Sequence, residues 1–235
     1  MKIKGIIFDK DGTLFKFKDF WIPIAEKAAE FVIETLNAPE CLKEEMLNEI
    51  GINEGINGVI CYGTYDQIAN GFARVLKKHR IDCGDISDIT MEGFHRYFNF
   101  GKIVPPCTNL ENLFSRFKEK RLKIFLATTD DMFLTRKCLK KLGILEYFDD
   151  IYTDDGIHKC KPDPYYINLI VHNYNVKQDE LVMVGDTMTD INFAHNGNIK
   201  AIGVASNEAD KNTLKTDAEV VIDNISQLAE VLDEI

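Results

Sequence analysis

Apolar positions along this chain keep two different rhythms. Ile3 to Phe8 is a short β-rich run that closes on Ile6-Ile7-Phe8. From about Trp21 to His79 the spacing turns helical. Ile24, Ala28, Phe31, Val32 and Leu36 recur on one face, and a second such pattern runs from about Tyr65 to Lys78. Between them, Gly51, Gly55, Gly58 and Gly63 predict a loop rather than a regular element. A further helix is predicted over Thr90 to Phe98, and this block carries no strand signal.

After Val104-Pro105-Pro106 helix and strand signals alternate. Helices are predicted over Asn109–Glu119, Met132–Leu142, Pro164–Tyr174, Asp190–His195 and Ile225–Leu232, with Gly143 placed to end the second of them. Strands are predicted over Lys123–Ala127, Ile151–Thr153, Leu181–Val184, Ala201–Val204 and Val220–Ile222. Such alternation implies an α/β fold whose parallel sheet is covered on both faces, a three-layer core. The first strand is cut off from the rest of that sheet by a long helical stretch. The expected organisation is therefore a core from 1–15 and 103–235, with a helical domain inserted over 16–102.

Composition narrows the class. A chain of 235 residues, 45% of them hydrophobic, can fill a large α/β core plus an insert. No run approaches the roughly 18 apolar residues of a membrane span, and Met1-Lys2-Ile3-Lys4-Gly5-Ile6 reads as a strand start rather than a signal peptide, so a cytoplasmic protein is expected. A net charge of −10 argues against nucleic acid and anionic membrane as partners, because there is no cation excess to neutralise phosphates. A small phosphate ester still fits if a few cations converge. Cys41, Cys61, Cys83, Cys107, Cys138 and Cys160 form no Cys-x-x-Cys pair, which points to reduced, mostly buried thiols and away from structural zinc.

The candidate chemistry lies at strand ends. Asp9 and Asp11, in Phe8-Asp9-Lys10-Asp11-Gly12-Thr13-Leu14, share a side of an extended chain just before a glycine turn. Two carboxylates held together need a cation or a shared proton, so the pair suggests a Mg²⁺ site, a nucleophile with an acid/base partner, or both. Thr128-Thr129-Asp130 ends the second strand; it would suit a helix cap, and equally a phosphate at free helix-terminal N–H groups. Lys161-Pro162-Asp163-Pro164 reads as a proline-bounded helix start whose stiff backbone could present an ammonium to an anion. In Gly185-Asp186-Thr187-Met188-Thr189-Asp190, a capping role explains one aspartate but not both.

In this order, with the inserted helical block, these segments resemble the haloacid dehalogenase-like hydrolases, in particular the phosphatases with an α-helical cap after the first strand, such as the phosphoglycolate phosphatase and β-phosphoglucomutase groups. The resemblance implies a Rossmann-like core and Mg²⁺-dependent hydrolysis of a small phosphorylated metabolite through an aspartyl-phosphate. By it, Asp9 is the nucleophile and Asp11 the acid/base. Mg²⁺ is held by Asp9, the Asp11 main-chain carbonyl and Asp186. Thr128, Thr129 and Lys161 bind the phosphoryl group, Thr13 orders the nucleophile loop, and Asp190 acts from behind the metal ligands.

The sequence departs from the family pattern in three places. Thr129 stands where asparagine is common, no Tyr-Pro-Gly turn precedes Pro106, and Phe15-Lys16-Phe17-Lys18 replaces a frequent Asp-Ser pair. Asp11 argues against the metal-free dehalogenases and the phosphonate hydrolases, which lack a second aspartate there. A sugar phosphomutase and a non-catalytic binding or regulatory protein remain as alternatives. Among weaker candidates, Tyr62, Tyr65, Arg74 and the Gly51–Gly63 loop would form a specificity face, and Trp21 and Phe17 a hinge. His158 and Lys159 read as a solvated loop, and Lys77-Lys78-His79-Arg80 as a solvated helix end. The substrate itself and the oligomeric state are not legible.

Overall fold

The computed structural model describes residues 2–107 and 109–234; Met1, Thr108 and Ile235, which the sequence assigns to the core, lie outside the described residues. The chain divides into two compact units, Met1–Lys16 with Pro105–Ile235 and, inserted between them, Phe17–Val104.

The first unit is built on a six-stranded sheet. Its strands are β1 (Gly5–Phe8), β2 (Lys123–Ala127), β3 (Asp150–Tyr152), β4 (Leu181–Gly185), β5 (Lys200–Val204) and β6 (Val220–Ile222). The order is β3-β2-β1-β4-β5-β6, and every pairing is parallel. Every residue of β1 and of β4 is buried, so both faces of the central strands are covered, as in a layered α/β fold. That explains why these strands read as continuous apolar runs rather than alternating ones. The helices of this unit are Leu110–Glu119, Met132–Lys141, Tyr165–Tyr174, Met188–Asn196, Glu208–Leu214 and Leu228–Val231.

Phe114, on the first of these helices, anchors an aromatic cluster. Its ring centroid lies 5.2 Å from Phe8, 6.0 Å from Phe117 and 5.5 Å from Phe148. Such contacts contribute beyond plain burial of area.

The second unit holds helices Phe17–Thr35, Lys43–Glu49, Val59–Tyr62, Tyr65–Lys78 and Ser87–Arg96, with no strand among its described residues. The Tyr65–Lys78 helix opens on a capping box in which Thr64 and Gln67 exchange hydrogen bonds, and it has the predicted limits. Within this unit Trp21 packs on Phe20 and Phe94.

Three expectations need correcting. The glycine-rich segment is not a plain loop: it holds a 3₁₀ turn at Gly55–Asn57 and the short helix Val59–Tyr62, because Gly58 and Gly63 take extended conformations that bound the helix rather than break it. The C-terminal amphipathic helix is a 3₁₀ turn, Ile225–Gln227, followed by one helical turn, Leu228–Val231. Of the six free cysteines only Cys83 and Cys138 are buried; Cys41 is exposed and Cys61, Cys107 and Cys160 are half-buried. The described residues include no helix long and apolar enough to cross a membrane.

Candidate active site

The strand order reverses at β1, which pairs with β2 on one side and β4 on the other. In open parallel sheets the crevice at the carboxyl ends of such strands is where ligands bind. Phe8 is in register with Leu126 and with Val184, so Asp9, Thr128 and Asp186 all emerge just past the ends of three adjacent strands. The Asp9 amide still donates to the Val184 carbonyl, which ties the start of the turn to the sheet.

Lys161 joins what the chain separates. Its buried ammonium donates to Asp9 Oδ1 at 2.6 Å and to Asp190 Oδ1 at 2.6 Å. Burial alone would lower the Lys161 pKa, but Asp190 and Asp9 more than offset it and hold the lysine charged. Asp190 is engaged at its other oxygen as well: Oδ2 accepts from the Thr187 amide at 3.0 Å and from the Thr187 hydroxyl at 2.7 Å. It is thus both partner of the capping box that starts the Met188–Asn196 helix and anchor for Lys161.

Carboxylate oxygens of Asp9, Asp186 and Asp190 lie within 4.8 Å of one another. Asp186 Oδ1 is enclosed and has no hydrogen-bond partner among the described residues. Burial, then the charges of Asp9 and Asp190, push the Asp186 carboxyl well above the usual carboxylate range. Asp9 is pushed up to about 7, mainly by burial, with Lys161 pulling the other way. A Cβ at Gly12 would fall 1.9 Å from Asp186 Oδ2, and Gly12 has φ +89°, so glycine is required where the turn passes that carboxylate. An enclosed, unpaired carboxylate oxygen beside a second carboxylate fits a hard divalent cation with oxygen ligands.

The other predicted residues are placed as follows. Thr128 is buried; its amide donates to the Tyr152 carbonyl and its hydroxyl accepts from the Asp130 amide at 3.2 Å. The helix cap expected of Thr128-Thr129-Asp130 falls instead on Asp131, whose side chain accepts from the Phe133 and Leu134 amides, because the chain needs three more residues to turn away from the sheet. Thr129 is half-buried. The buried Thr13 hydroxyl has no hydrogen-bond partner among the described residues. Main-chain bonds, from the Leu14 amide to the Lys10 carbonyl and from the Gly12 amide to the Phe15 carbonyl, hold the loop after β1.

Asp11 stands apart from the acidic group: both its oxygens face the Lys10 ammonium at 2.7 Å. In the sequence Lys10 has no role of its own, and Asp130 only a place in the segment after β2. Lys10 is wholly buried and also lies 2.9 Å from Asp130 Oδ2. Alternation along β1 offers a usable signal, since it sends Lys10 to the side opposite Asp9 and Asp11, where a lysine must find an acid. His158 pairs with Asp155 and stacks on Tyr165, and Lys159 reaches Asp163 from an exposed position, so both stay in the surface loop. Arg74 pairs with Glu49, Lys78 and His79 share Glu45, and Tyr65 packs on Phe94.

A sequence model of the family "Haloacid dehalogenase-like hydrolase" matches residues 6–204, most of the chain. This protein belongs to the haloacid dehalogenase-like hydrolases. Within that family it is 26% identical over 239 residues to a phosphoglycolate phosphatase of Vibrio parahaemolyticus, covering 98% of this chain and 96% of the relative. It is 27% identical over 239 residues to a glyceraldehyde 3-phosphate phosphatase of Methanothermobacter thermautotrophicus, covering 98% of this chain and 100% of the relative. Among solved structures it resembles one from Thermotoga maritima, provisionally assigned as a beta-phosphoglucomutase, with a TM-score of 0.66 and 20% identity over the whole of both chains. At that identity the likeness speaks to the fold alone.

Proposed function

We propose that this haloacid dehalogenase-like hydrolase is a Mg²⁺-dependent phosphatase that hydrolyses a small phosphorylated metabolite through a phosphoryl group carried on Asp9. One observation carries the reading: a buried ammonium contacts Asp9 while the neighbouring Asp186 keeps an enclosed oxygen unpaired. The two phosphatase relatives, named for phosphoglycolate and glyceraldehyde 3-phosphate, support the substrate class.

Asp9 attacks phosphorus, and the alcohol leaves as Asp11 supplies its proton. Asp11 then takes a proton from the water that attacks the aspartyl-phosphate, returning both carboxylates to their starting states. A positioned acid/base of this kind contributes typically ~10²–10⁴ in rate. Lys161 binds phosphoryl oxygens and offsets the negative charge that a carboxylate meets on approaching a phosphate. Thr128 and Thr129 supply further donors from the end of β2. Asp9, Asp186 and the Asp11 main-chain carbonyl are the groups that would hold Mg²⁺, which when bound neutralises charge and polarises the phosphoryl group. Asp190 keeps Lys161 in place, and the inserted helical unit acts as the cap domain.

The test is release of inorganic phosphate from p-nitrophenyl phosphate with Mg²⁺, comparing wild type with Asp9→Asn, followed by a panel of phosphorylated metabolites. Loss of turnover in Asp9→Asn is expected, and unchanged turnover sinks the mechanism. Formation of an isomer that depends on a bisphosphate activator, without phosphate release, would move the protein to the phosphomutases.

A further inference from the structure

Three carboxylate oxygens surround one buried ammonium next to the nucleophile. Lys10 Nζ lies 2.7 Å from each oxygen of Asp11 and 2.9 Å from Asp130 Oδ2. The lysine side chain has no exposure, and its ammonium sits 5.2 Å from the centre of the Phe15 ring. Asp130 is buried just beyond β2, so the contact ties the turn after β1 to the turn after β2. Asp11 directly precedes the turn at Gly12, and its carboxylate is not part of the Asp9–Asp186–Asp190 group.

We propose that Lys10 is a positioning residue for proton transfer: anchored by Asp130, it holds the Asp11 carboxylate apart from the acidic group and so fixes the place from which Asp11 serves the leaving group. The proposal rests on the reading of Asp11 as acid/base given above. Three features support it. A lysine with one carboxylate would be free to follow that partner, whereas a second, buried carboxylate on a neighbouring strand end fixes the ammonium. Contact with both Asp11 oxygens restricts rotation of the carboxylate, which a single hydrogen bond does not. Proton transfer also depends steeply on such placement, because a displacement of about 1 Å in a reacting group costs on the order of 10²-fold in rate.

A merely structural lysine and a positioning one are separated by the leaving group. p-Nitrophenolate departs without a proton, whereas an alkoxide requires one. The value of kcat/KM, which covers steps up to alcohol release, is measured for Lys10→Met on p-nitrophenyl phosphate and on an alkyl phosphate such as glycerol phosphate. A loss of at least about tenfold on the alkyl ester, with no more than about threefold on the aryl ester, is expected, and Lys10→Arg should recover part of the difference. Equal losses on both esters, or no loss on either, overturn the proposal. If Lys10→Met does not fold, the double variant Lys10→Met/Asp130→Asn, which leaves no unpaired carboxylate at position 130, carries the same comparison. Wild-type turnover and an inactive Asp9→Asn serve as controls. With both in hand, equal losses count against Lys10 alone; without them, the phosphatase reading itself has failed.

Discussion

Lys161 and Asp9 are 152 residues apart in the chain and 2.6 Å apart in the fold. Both are buried, and each shifts the other's pKa toward the charged form. Burial raises the Asp9 pKa and Lys161 pulls it back down, while Asp190 and Asp9 offset the burial that would lower the Lys161 pKa.

Lys161→Met should therefore lower kcat on p-nitrophenyl phosphate by ~10²–10³, the range found when a preorganised charge stabiliser is removed. Steady-state kinetics with a circular-dichroism check of folding measures this. A loss smaller than about threefold would show that the ammonium serves structure alone.

Gly12→Ala probes the proposed cation site from its backbone side. A Cβ there meets Asp186 Oδ2 at 1.9 Å and is strained at φ +89°, so the carboxylate must move. The expected outcome is a protein whose melting temperature no longer rises with added Mg²⁺, while wild type is stabilised as any native-state ligand requires. An undiminished Mg²⁺ shift in the variant would move the site elsewhere.

The pH dependence has a definite sign. Asp9, at about 7, and Asp186 are both raised in the folded protein above the ordinary value of 3.8. Such groups contribute stability that is fully present below the unfolded pKa and lost as pH rises through the folded one. Metal-free protein should accordingly lose melting temperature between about pH 4 and pH 7. Asp186→Asn should melt several degrees above wild type at the upper end of that range and close to it at the lower end. Scanning calorimetry in the presence of a chelator measures both, and an equal difference at the two pH values would contradict the assignment.

Phe114→Ala tests the aromatic core beneath β1. The ring is wholly buried against Phe8, Phe117 and Phe148, so truncation should cost about 3–5 kcal/mol, read as a lower midpoint of urea unfolding. A cost under about 1 kcal/mol would mean that the cluster collapses around the gap.

By itself the sequence determined most of the longer regular elements and the class of chemistry. Strands Lys123–Ala127 and Val220–Ile222 and helix Tyr65–Lys78 appear with the predicted limits, because a continuous apolar run or a 3.6-residue stripe is a local property. Short helices such as Lys43–Glu49 and Glu208–Leu214 were not legible, since so few turns carry little periodicity and their stability comes from packing. Asp9, Asp11, Lys161 and Asp186 stood out as polar residues at the limits of apolar runs or between prolines. Only the tertiary structure decided which of them meet. The strand order puts β1 between β2 and β4, Lys161 closes on Asp9 and Asp190, and Asp11 goes to Lys10 and not to the acidic group. A buried charge takes whichever opposite charge the packed strands bring within reach, and pairs so distant in sequence leave no pattern along the chain.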